Sequence, residues 1–330
     1  MPPRVGIPGT LLYYLCFPEW ETFFQQIGIQ VVTSGRTNKR ALDFGVREAL
    51  ADACVPIKLY FGHILTLMEE KDVDYLFVPR VVCLNSETTY CPKFLGLPDM
   101  IRSVLSGPPP LIDARIDVRE GLSALFRFYV KIGKMLGARW PNIARAFWKA
   151  RRAQKRYLSL LRAGCNPLEA MEILKKRGSP ASSEKYEMTL AVLGYPYLVY
   201  DQFVSVGLLN KLKKMGIRAI TAENLPPKAL AGQKNILDKR LFWTFSDTAY
   251  KATQFILKHG KVDGIIHLTA FGCGPDAMLD KFMEMLVREN SKIPFMTLTI
   301  DEHSGEAGIT TRLEAFADMV RRKKGARSCA

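Results

Sequence analysis

The sequence lacks the short motifs that would assign a function at once. No two cysteines have the C-x-x-C spacing of a zinc ribbon, and no GxxxxGKS/T loop is present to bind nucleotide phosphates. No apolar run reaches the roughly 18 residues that a transmembrane helix needs, and the first residues lack the cleavage site of a secretory signal. We therefore expect a cytoplasmic protein, whose thiols stay reduced and bind metals or react more often than they form disulfides.

The composition that remains is that of a globular protein. The chain has 330 residues, of which 48% are hydrophobic and 24% charged, and it contains seven cysteines. This is enough apolar material for a large core and for two or three domains. It excludes a disordered chain and a disulfide-stapled miniprotein.

The formal net charge of the whole chain is +15, and most of this positive charge lies in one stretch, residues 111–185. Only six acids lie in that stretch beside its basic residues. The basic residues are Arg115, Arg119, Arg127, Lys131, Lys134, Arg139, Arg145, Lys149, Arg151, Arg152, Lys155, Arg156, Arg162, Lys175, Lys176, Arg177 and Lys185. Three interpretations stay open: a nucleic-acid surface, a docking face for an acidic partner or a phosphate-rich ligand, and a solvated helical face.

Aromatic residues accompany these charges at spacings of three or four. They are Phe126, Phe128, Tyr129, Trp140, Phe147 and Trp148. This spacing is typical of the buried stripe of amphipathic helices, so we predict core positions for them and not base-stacking platforms. A nucleic-acid partner is therefore the least favoured of the three interpretations.

An internal repeat organises the rest of the chain. The apolar segment at residues 5–8 ends in Gly-x-Pro and leads to Gly28, and the same pattern returns 188 residues further on at residues 193–196 and Gly216. Between them lie amphipathic helices, whose apolar positions are Trp20, Phe23, Phe24 and Ile27 in the first copy and Leu208, Leu209, Leu212 and Met215 in the second. Each glycine is predicted to end its helix, and a β-branched strand follows. The pattern predicts one β-α-β unit used twice.

The repeat extends to a further buried strand in each copy. Residues 73–79 match residues 262–268, and each run ends a few residues before a cysteine, Cys83 or Cys273. Ligands in open α/β sheets bind beyond the carboxyl ends of the strands. Both thiols are therefore predicted to lie where such a fold makes its sites.

The predicted fold class is α/β, with two Rossmann-like parallel-sheet lobes related by duplication and a helical basic insertion between them. We expect the N-terminal lobe at 1–105, a helical basic region at 106–187 that starts with a Gly/Pro-rich linker, and the C-terminal lobe at 188–330. Residues 313–321 are predicted to form the closing helix.

Four cysteines are candidate metal ligands: Cys54, Cys83, Cys91 and Cys273. Glycines flank Cys273, which leaves room for inorganic sulfide and frees backbone N–H groups, and prolines near Cys54 and Cys91 stiffen their loops. An iron–sulfur site is the leading interpretation, but buried core cysteines, a zinc site or a catalytic thiol stay open. Cys16 is a weaker candidate, and Cys165 and Cys329 are expected to play no part.

Glu302 and His303 are candidate catalytic residues. They lie in a polar loop at 301–306 that follows the strand predicted at 295–300, so the loop emerges at the same sheet edge as Cys273. Such a group relays protons to a substrate or supports a cluster, or else it caps a helix predicted to begin near Thr310. We expect Arg312 to neutralise these acids.

Three residues of the N-terminal half are further candidates. Lys58 and Arg80 lie near cysteines in the sequence and are expected to lower the pKa of those thiols. His63 is either a functional group or a core histidine.

The cysteine segments resemble acyl-CoA dehydratase activase-related proteins, relatives of the D-component of 2-hydroxyacyl-CoA dehydratases and of the double-cubane-cluster proteins. The resemblance covers nearly the whole chain. The segments that carry it are CVPIK at 54–58, DYLFVPR at 74–80, Cys83, Cys91-Pro92, FGCGPDA at 271–277, DEHSGEAG at 301–308 and TRLEAF at 311–316.

The resemblance implies two Rossmann-like lobes that close on an iron–sulfur cluster in the interlobe cleft, used for low-potential electron transfer or reductive chemistry. It assigns Cys54, Cys83, Cys91 and Cys273 as ligands. A 4Fe–4S cluster fits the available thiols better than a double cubane, which would need nearly every cysteine of the chain. ATP hydrolysis would belong to a separate activase or electron donor, with an acyl-CoA or another small molecule as substrate. The alternative function is a scaffold or activator subunit that docks an acidic partner through its basic helices. A homodimer is a further expectation about partners.

Overall fold

A computed structural model gives the arrangement of the chain. It describes residues 1–85, 87–176, 178, 186–235, 240–259 and 262–328, and of 326–328 it describes the backbone alone. Arg177, Lys185 and Cys329, which the sequence analysis mentions, lie outside the described residues. The described residues form thirteen α-helices and ten β-strands, and every strand pairing within the three sheets is parallel. The predicted α/β class with parallel sheets is therefore confirmed.

The chain divides into two compact units. Unit 1 comprises the described residues of Met1–Leu161, Cys165–Ser179 and Phe242–Thr244, and unit 2 comprises those of Arg162–Gly164, Pro180–Leu241 and Phe245–Ala330. The helices that the sequence analysis treats as a separate basic region pack within unit 1, apart from the last residue of the longest one.

Unit 1 is built on a four-stranded parallel sheet with the strand order β2-β1-β3-β5. Its strands are β1 Arg4–Ile7, β2 Gln30–Thr33, β3 Tyr75–Phe77 and β5 Leu111–Ile112. A separate two-stranded parallel sheet joins β4 Arg80–Cys83 to β6 Arg115–Asp117. Its helices are α1 Tyr13–Gln26, α2 Lys39–Glu48, α3 Val55–Glu70, α4 Pro92–Val104, α5 Leu122–Met135, α6 Trp140–Arg162 and α7 Pro167–Lys176.

An aromatic cluster joins α1 to α5 and α6. Phe23 packs against Tyr129, which packs against Phe147, with ring centroids 4.5 and 5.7 Å apart. Phe128, Tyr129 and Phe147 are buried, as the aromatic stripe predicts. The prediction is wrong for Trp140 and Trp148, whose side chains are 54% and 61% exposed.

A proline inside α1 helps α6 to dock. Pro18 has no N–H, so it cannot donate the helical hydrogen bond to the carbonyl of Tyr14 four residues earlier. The hydroxyl of Tyr157 on α6 donates to that carbonyl instead, at 2.5 Å. Gln154, one turn earlier on α6, donates its Nε2 to the carbonyl of Leu15 at 2.7 Å. The backbone of α1 thus supplies acceptors that fix the position of α6.

Two glycines let α2 and α3 approach closely. A Cβ on Gly62 would lie 1.7 Å from the carbonyl oxygen of Ala41, and one on Gly45 would lie 1.9 Å from that of Lys58. No side chain can occupy either position without moving the backbone of the other helix. The crossing holds α3 against the core, and with it Cys54 at its start.

Unit 2 contains a second four-stranded parallel sheet, with the order β10-β9-β7-β8. Its strands are β7 Met188–Gly194, β8 Ile217–Ile220, β9 Gly264–Ala270 and β10 Phe295–Ile300. Its helices are α8 Pro196–Val199, α9 Leu208–Lys214, α10 Pro227–Ala231, α11 Thr244–His259, α12 Gly274–Asn290 and α13 Glu306–Ser328. The two sheets have the same strand order. If the four strands of each sheet are numbered along the chain, their order across the sheet is second, first, third, fourth in both units.

The predicted helix ends agree with the structure better than the predicted starts. Gly28 follows α1 and Gly216 follows α9, both at positive φ (86° and 70°), as a glycine that ends a helix requires. The closing helix was expected from residue 313 but begins at Glu306. Helix α3 begins at Val55, directly after Cys54, because Pro56 is well suited to the first turn of a helix.

Candidate functional site

Three of the four candidate cysteines occupy the same structural position. Cys54 is the N-cap residue of α3, Cys91 that of α4 and Cys273 that of α12, and a proline follows each within two residues. Each thiol is half-buried. The first N–H groups of a helix have no helical acceptor, and its N-terminus carries partial positive charge. The helix N-terminus therefore favours the thiolate form at this position, an effect that burial outweighs at Cys54.

Cys54 and Cys91 influence each other within unit 1. Burial raises the pKa of the Cys54 thiol, and the negative charge of Cys91 raises this pKa further, whereas the backbone N–H of Ile57 and the charge of Lys93 lower it. Both thiols lie at the start of their helices, so one bound cation would relieve the repulsion between their thiolates. Lys93 is a cation whose charge lowers the pKa of Cys54, and the effect predicted for Lys58 stays a prediction.

Cys83 has a different environment at the end of β4. Its side chain is fully buried, and its Sγ donates to Oδ1 of Asp117 at 3.1 Å, at the end of the neighbouring strand β6. Burial and the Asp117 carboxylate raise the pKa of Cys83. Arg119 and Arg115 bind Asp117 and hold the pKa of its carboxyl well below the usual range. Cys83 is therefore a protonated thiol in the metal-free protein.

The remaining described cysteines are buried thiols. Cys16 lies inside α1, and burial raises the pKa of its thiol well above the usual value. Cys165 is buried between α6 and α7. Cys329, for which no role is expected, lies outside the described residues.

Iron–sulfur clusters are bound by thiolate sulfur, so the four candidate cysteines supply the type of ligand atom that such a cluster needs. The described part of the chain does not bring three or more His, Cys, Asp or Glu side chains together in a group that could hold a metal ion. The protein thus offers suitable donors at well-defined backbone positions, without a preassembled cage among the residues that the structure describes.

A charged triad that the sequence analysis missed lies in unit 2 beside Cys273. His267, on β9, is fully buried, and its Nδ1 lies 2.8 Å from Oδ1 of Asp280 on α12. Its Nε2 lies 3.3 Å from Oδ1 of Asp276, another fully buried residue, three positions after Cys273. Thr297 on β10 donates to the same Asp280 oxygen at 2.6 Å. The triad fixes the first turns of α12, and hence Cys273, to the sheet.

His267 carries a positive charge at neutral pH. Burial alone would lower the pKa of this imidazole, but the adjoining carboxylates of Asp276 and Asp280 raise it to about 9. The same ion pair, with the hydroxyl of Thr297, holds the pKa of Asp280 below its usual value despite the burial of that carboxyl. No local pattern reveals this triad, since its members are separated by nine and thirteen residues and come from a strand and a helix.

His63 of unit 1 is a core histidine with neutral partners. Its ring nitrogens lie 2.7 Å from the hydroxyl of Ser34 and 2.9 Å from that of Thr37, in the segment after β2. The Ser34 hydroxyl also accepts the N–H of Gly9 at 2.8 Å. Burial lowers the pKa of His63 to about 4, so the ring is neutral. It ties α3 to two loops and does not face solvent.

The polar loop after β10 forms a turn. Oδ1 of Asp301 accepts the backbone N–H of His303 at 2.9 Å and the hydroxyl of Ser304 at 2.8 Å. The ring of His303 is exposed and Glu302 is half-buried. The helix predicted to begin near Thr310 begins at Glu306, at the end of this loop. The catalytic role predicted for Glu302 and His303 stays a prediction.

Two basic residues have partners other than those expected. Arg80 binds Asp99 and Asp113 and not a cysteine, with Nη2 lying 2.6 Å from Asp99. Arg312 donates to the carbonyl of Thr297 at 2.6 Å and not to the acids of the polar loop. Both therefore hold local structure together.

The fold and these side chains define an α/β protein of parallel sheets with thiols at helix N-termini. The sequence profile of the CoA enzyme activase uncharacterised domain (DUF2229) matches residues 4–225, about two thirds of the chain. The chain therefore belongs to this activase-related domain family. No curated protein matches it.

Solved structures give only distant similarity. The C-terminus of E. coli RcsC (residues 700–949, a linker and phosphoreceiver domain) is 16% identical over 98% of this chain and 95% of its own, with a TM-score of 0.23. A nitrogenase Cp1 structure at pH 5 is 10% identical over 96% of this chain and 56% of its own, with a TM-score of 0.23. The C-terminal domain of a Francisella tularensis glucosamine-fructose-6-phosphate aminotransferase is 12% identical, with 98% and 86% covered and a TM-score of 0.24. Similarity at this level establishes no shared fold.

Among the described residues, no helix combines the length and the apolar character needed to cross a bilayer.

Proposed function

We propose that this activase-related protein carries an iron–sulfur cluster, 4Fe–4S in type, on the thiolates of Cys54, Cys83, Cys91 and Cys273, and that it takes part in low-potential electron transfer. The observation that carries the proposal is the repeated position of three of these cysteines at helix N-termini next to a proline. A cluster with four thiolates is negative, and helix N-termini stabilise negative charge. Membership of the CoA enzyme activase domain family supports the same role.

Each ligand residue has a separate task. Cys54 and Cys91 supply a pair whose mutual repulsion a bound iron would relieve. Cys83 must lose the proton that it shares with Asp117 before it can bind metal, so metal loading releases a proton there. The His267 triad holds the backbone from which Cys273 projects. When bound, the cluster would supply a one-electron centre whose potential these N–H groups and charges tune.

A separate partner would supply the electron. The chain has no nucleotide-binding GxxxxGKS/T loop, so we assign ATP-driven electron injection to another protein of the activase type. Exposed apolar side chains lie before Cys273 and along α12: Phe271 is 68% exposed, Met278 64% and Met285 55%. Apolar patches of this kind mark protein interfaces, and a second copy of the chain is the alternative occupant. An acyl-CoA or another small molecule would be the final electron acceptor.

We also propose that the two units arose by duplication. Both four-stranded sheets have the same strand order in chain sequence, and a glycine at positive φ follows α1 in unit 1 and α9 in unit 2. In unit 1, Cys83 is the last residue of β4, the strand after β3. In unit 2, Cys273 lies three residues after the end of β9.

The test is iron and acid-labile sulfide analysis of the anaerobically purified, reconstituted protein. We expect about four iron and four sulfide per chain for a single cubane. Cys83→Ser and Cys273→Ser are each expected to lower the iron content substantially, whereas Cys165→Ser, a buried cysteine outside the proposed ligand set, is the matched control. Less than one iron per chain in the wild type, or equal iron in all four proteins, would contradict the proposal.

The second candidate is a scaffold that docks an acidic partner. It rests on α6, which has seven basic residues and no acid, with Arg145, Trp148 and Arg152 all exposed on one face. A long cationic face attracts acidic surfaces, and salt weakens that attraction. This candidate predicts a folded protein without iron and a salt-sensitive complex, so the same iron analysis separates the two.

A further inference from the structure

The helices α5 and α6 carry positive charge that is not neutralised within the described part of the chain. Residues 121–168, which include both helices, contain eleven lysines and arginines and no aspartate or glutamate. Of these eleven, only Arg127 and Arg151 have a carboxylate partner among the described residues, Glu120 and Glu19 respectively. The other nine are exposed: Lys131, Lys134, Arg139, Arg145, Lys149, Arg152, Lys155, Arg156 and Arg162. A surface of one sign over this length attracts an anionic surface.

Trp148 lies among these cations on the exposed face of α6. Arg145 lies one helical turn before it and Arg152 one turn after it, and all three side chains are exposed. The side chain of Trp148 is 61% exposed, whereas that of Trp20 in the core of the same unit is 6% exposed. A large aromatic ring and unpaired cations thus share one strip of surface.

A second exposed tryptophan belongs to the same cluster of rings. Trp140, at the start of α6, is 54% exposed. Phe126 of α5 packs against Trp140 and against Phe147, with ring centroids 5.5 and 5.0 Å apart, and Phe147 packs against Trp148 at 5.1 Å. These contacts hold the two exposed indole rings in place, so a partner binds them without having to order them first.

Three kinds of anionic partner differ in what they require of such a surface. The centre of a protein–protein interface is depleted of charge, but an interface centred on Trp148 would also bury Arg145 and Arg152. Single-stranded nucleic acid binds in grooves, whereas this surface is the outer side of a helix. The headgroup region of a bilayer accommodates indole rings, and its anionic lipids attract lysine and arginine side chains. The combination therefore favours a lipid surface.

We propose that the exposed face of α5 and α6 binds the surface of a bilayer that contains anionic lipids. The lysines and arginines bind the lipid phosphates, and the indole rings of Trp140 and Trp148 lie among the headgroups. The chain lies on the bilayer and does not span it. This gives the cationic face of α6, which the scaffold candidate assigns to an acidic partner, a different occupant. The binding does not depend on metal loading, so it is tested apart from the iron content.

The test is sedimentation of the full chain with lipid vesicles. One set of vesicles is phosphatidylcholine alone, and the other contains equal parts of phosphatidylcholine and phosphatidylglycerol. We expect binding to the anionic vesicles to be at least about tenfold tighter than to the neutral ones, and to weaken as the salt concentration is raised. Equal binding to the two kinds of vesicle would overturn the proposal.

Two double variants with the same change in net charge locate the surface. Arg145→Glu with Arg152→Glu is expected to lower the affinity for anionic vesicles by at least about tenfold. Lys214→Glu with Arg322→Glu, at exposed positions of unit 2, is the matched control and should keep most of the affinity. All four side chains are exposed, so circular dichroism should show the wild-type fold in both. An equal loss of affinity in the two double variants would contradict a specific surface.

Trp148→Ser tests whether the indole ring enters the headgroup region. We expect it to lower the affinity for anionic vesicles about fivefold, because the apolar area of the ring is no longer removed from water. Brominated phosphatidylcholine in the vesicles should quench a larger share of the fluorescence in the wild type than in Trp148→Ser. Unchanged affinity in the variant would overturn the proposal. So would tighter binding of the wild type to polyglutamate or single-stranded RNA than to anionic vesicles, since the face would then serve another class of partner.

Discussion

Each unit of the protein has one buried histidine that ties a helix to its surroundings. One of these two histidines is neutral and the other is positively charged. His63 in unit 1 lies between two hydroxyl groups, and burial lowers its pKa to about 4. His267 in unit 2 lies between two carboxylates, which overcome the effect of burial and raise its pKa to about 9. Burial is nearly complete in both cases, so the partners decide the charge.

The difference shows that two units whose sheets have the same strand order fix a helix in place by different kinds of interaction. In unit 1, α3 is fixed by close packing against α2 and by neutral hydrogen bonds around His63. In unit 2, α12 is fixed by a buried ion-paired triad. Both devices locate a cysteine at a helix N-terminus, Cys54 and Cys273 respectively.

The largest expected effect is on the packed crossing of unit 1. In Gly62→Ala the new methyl group meets the carbonyl of Ala41, and the two helices must separate. We expect a loss of about 4 kcal/mol or more of unfolding free energy, confined to unit 1, since overpacking against backbone cannot be relieved by a side-chain rotation. Hydrogen exchange followed by mass spectrometry would show faster exchange in the peptides of α2 and α3.

Gly96→Ala is the matched control, because a Cβ at that position on α4 meets no atom within 4 Å. It is expected to be neutral or to stabilise by about 0.5–1 kcal/mol. Similar losses from both substitutions would show that the crossing is not what holds α3.

The next largest effect is expected from removing the buried positive charge of His267 in unit 2. In His267→Gln, Asp276 and Asp280 lose their buried cation, and we expect a loss of roughly 3–5 kcal/mol from unit 2. Because the native imidazole keeps its proton to about pH 9 and the unfolded one loses it above about 6.5, wild-type stability should fall as the pH rises from 6.5 to 9. The variant should lack this fall. Hydrogen exchange of the β9 and α12 peptides across that pH range measures it, and a flat wild-type profile would contradict the ion pair.

The smallest expected effect is the pH dependence of the stability of unit 1. Stability should fall as the pH drops there, whereas in unit 2 it should fall as the pH rises. The unfolded His63 takes up a proton below about pH 6.5, whereas the native ring does not until about pH 4. Stability of unit 1 should therefore fall by about 3 kcal/mol as the pH drops from 6.5 to 4, and it should not change on this account above 6.5. His63→Gln should remove this part of the acid sensitivity in the α3 peptides, with Gly96→Ala again as a folded control. Loss of stability at high pH instead would reverse the assignment of the charge states.

Local patterns in the sequence predict the parts of this fold that depend on local chemistry. The parallel strands β1, β7 and β9 are short apolar runs, and Gly28 and Gly216 end a helix in unit 1 and in unit 2 respectively. Helix starts at the cysteines could also have been found, since Cys-x-Pro and Cys-Pro place a proline in the first turn.

Tertiary contacts account for what the sequence did not predict. Asp276 and Asp280 meet His267 only because α12 packs back on β9, and no spacing along the chain signals this. Trp140 and Trp148 share the helical spacing of the buried aromatics, yet the face that α6 presents to the core excludes them. Arg80 is adjacent to cysteines in sequence, but acids from α4 and the segment before β6 bind it first.

The central claim is that thiols at helix N-termini bind an iron–sulfur centre that accepts one electron at low potential. Its most direct test is the electron paramagnetic resonance spectrum of the anaerobically isolated, dithionite-reduced protein. We predict the spectrum of a singly reduced 4Fe–4S cluster, which weakens in Cys273→Ser and persists in Cys165→Ser. A reduced wild-type protein that is silent in this experiment and free of iron would contradict the claim.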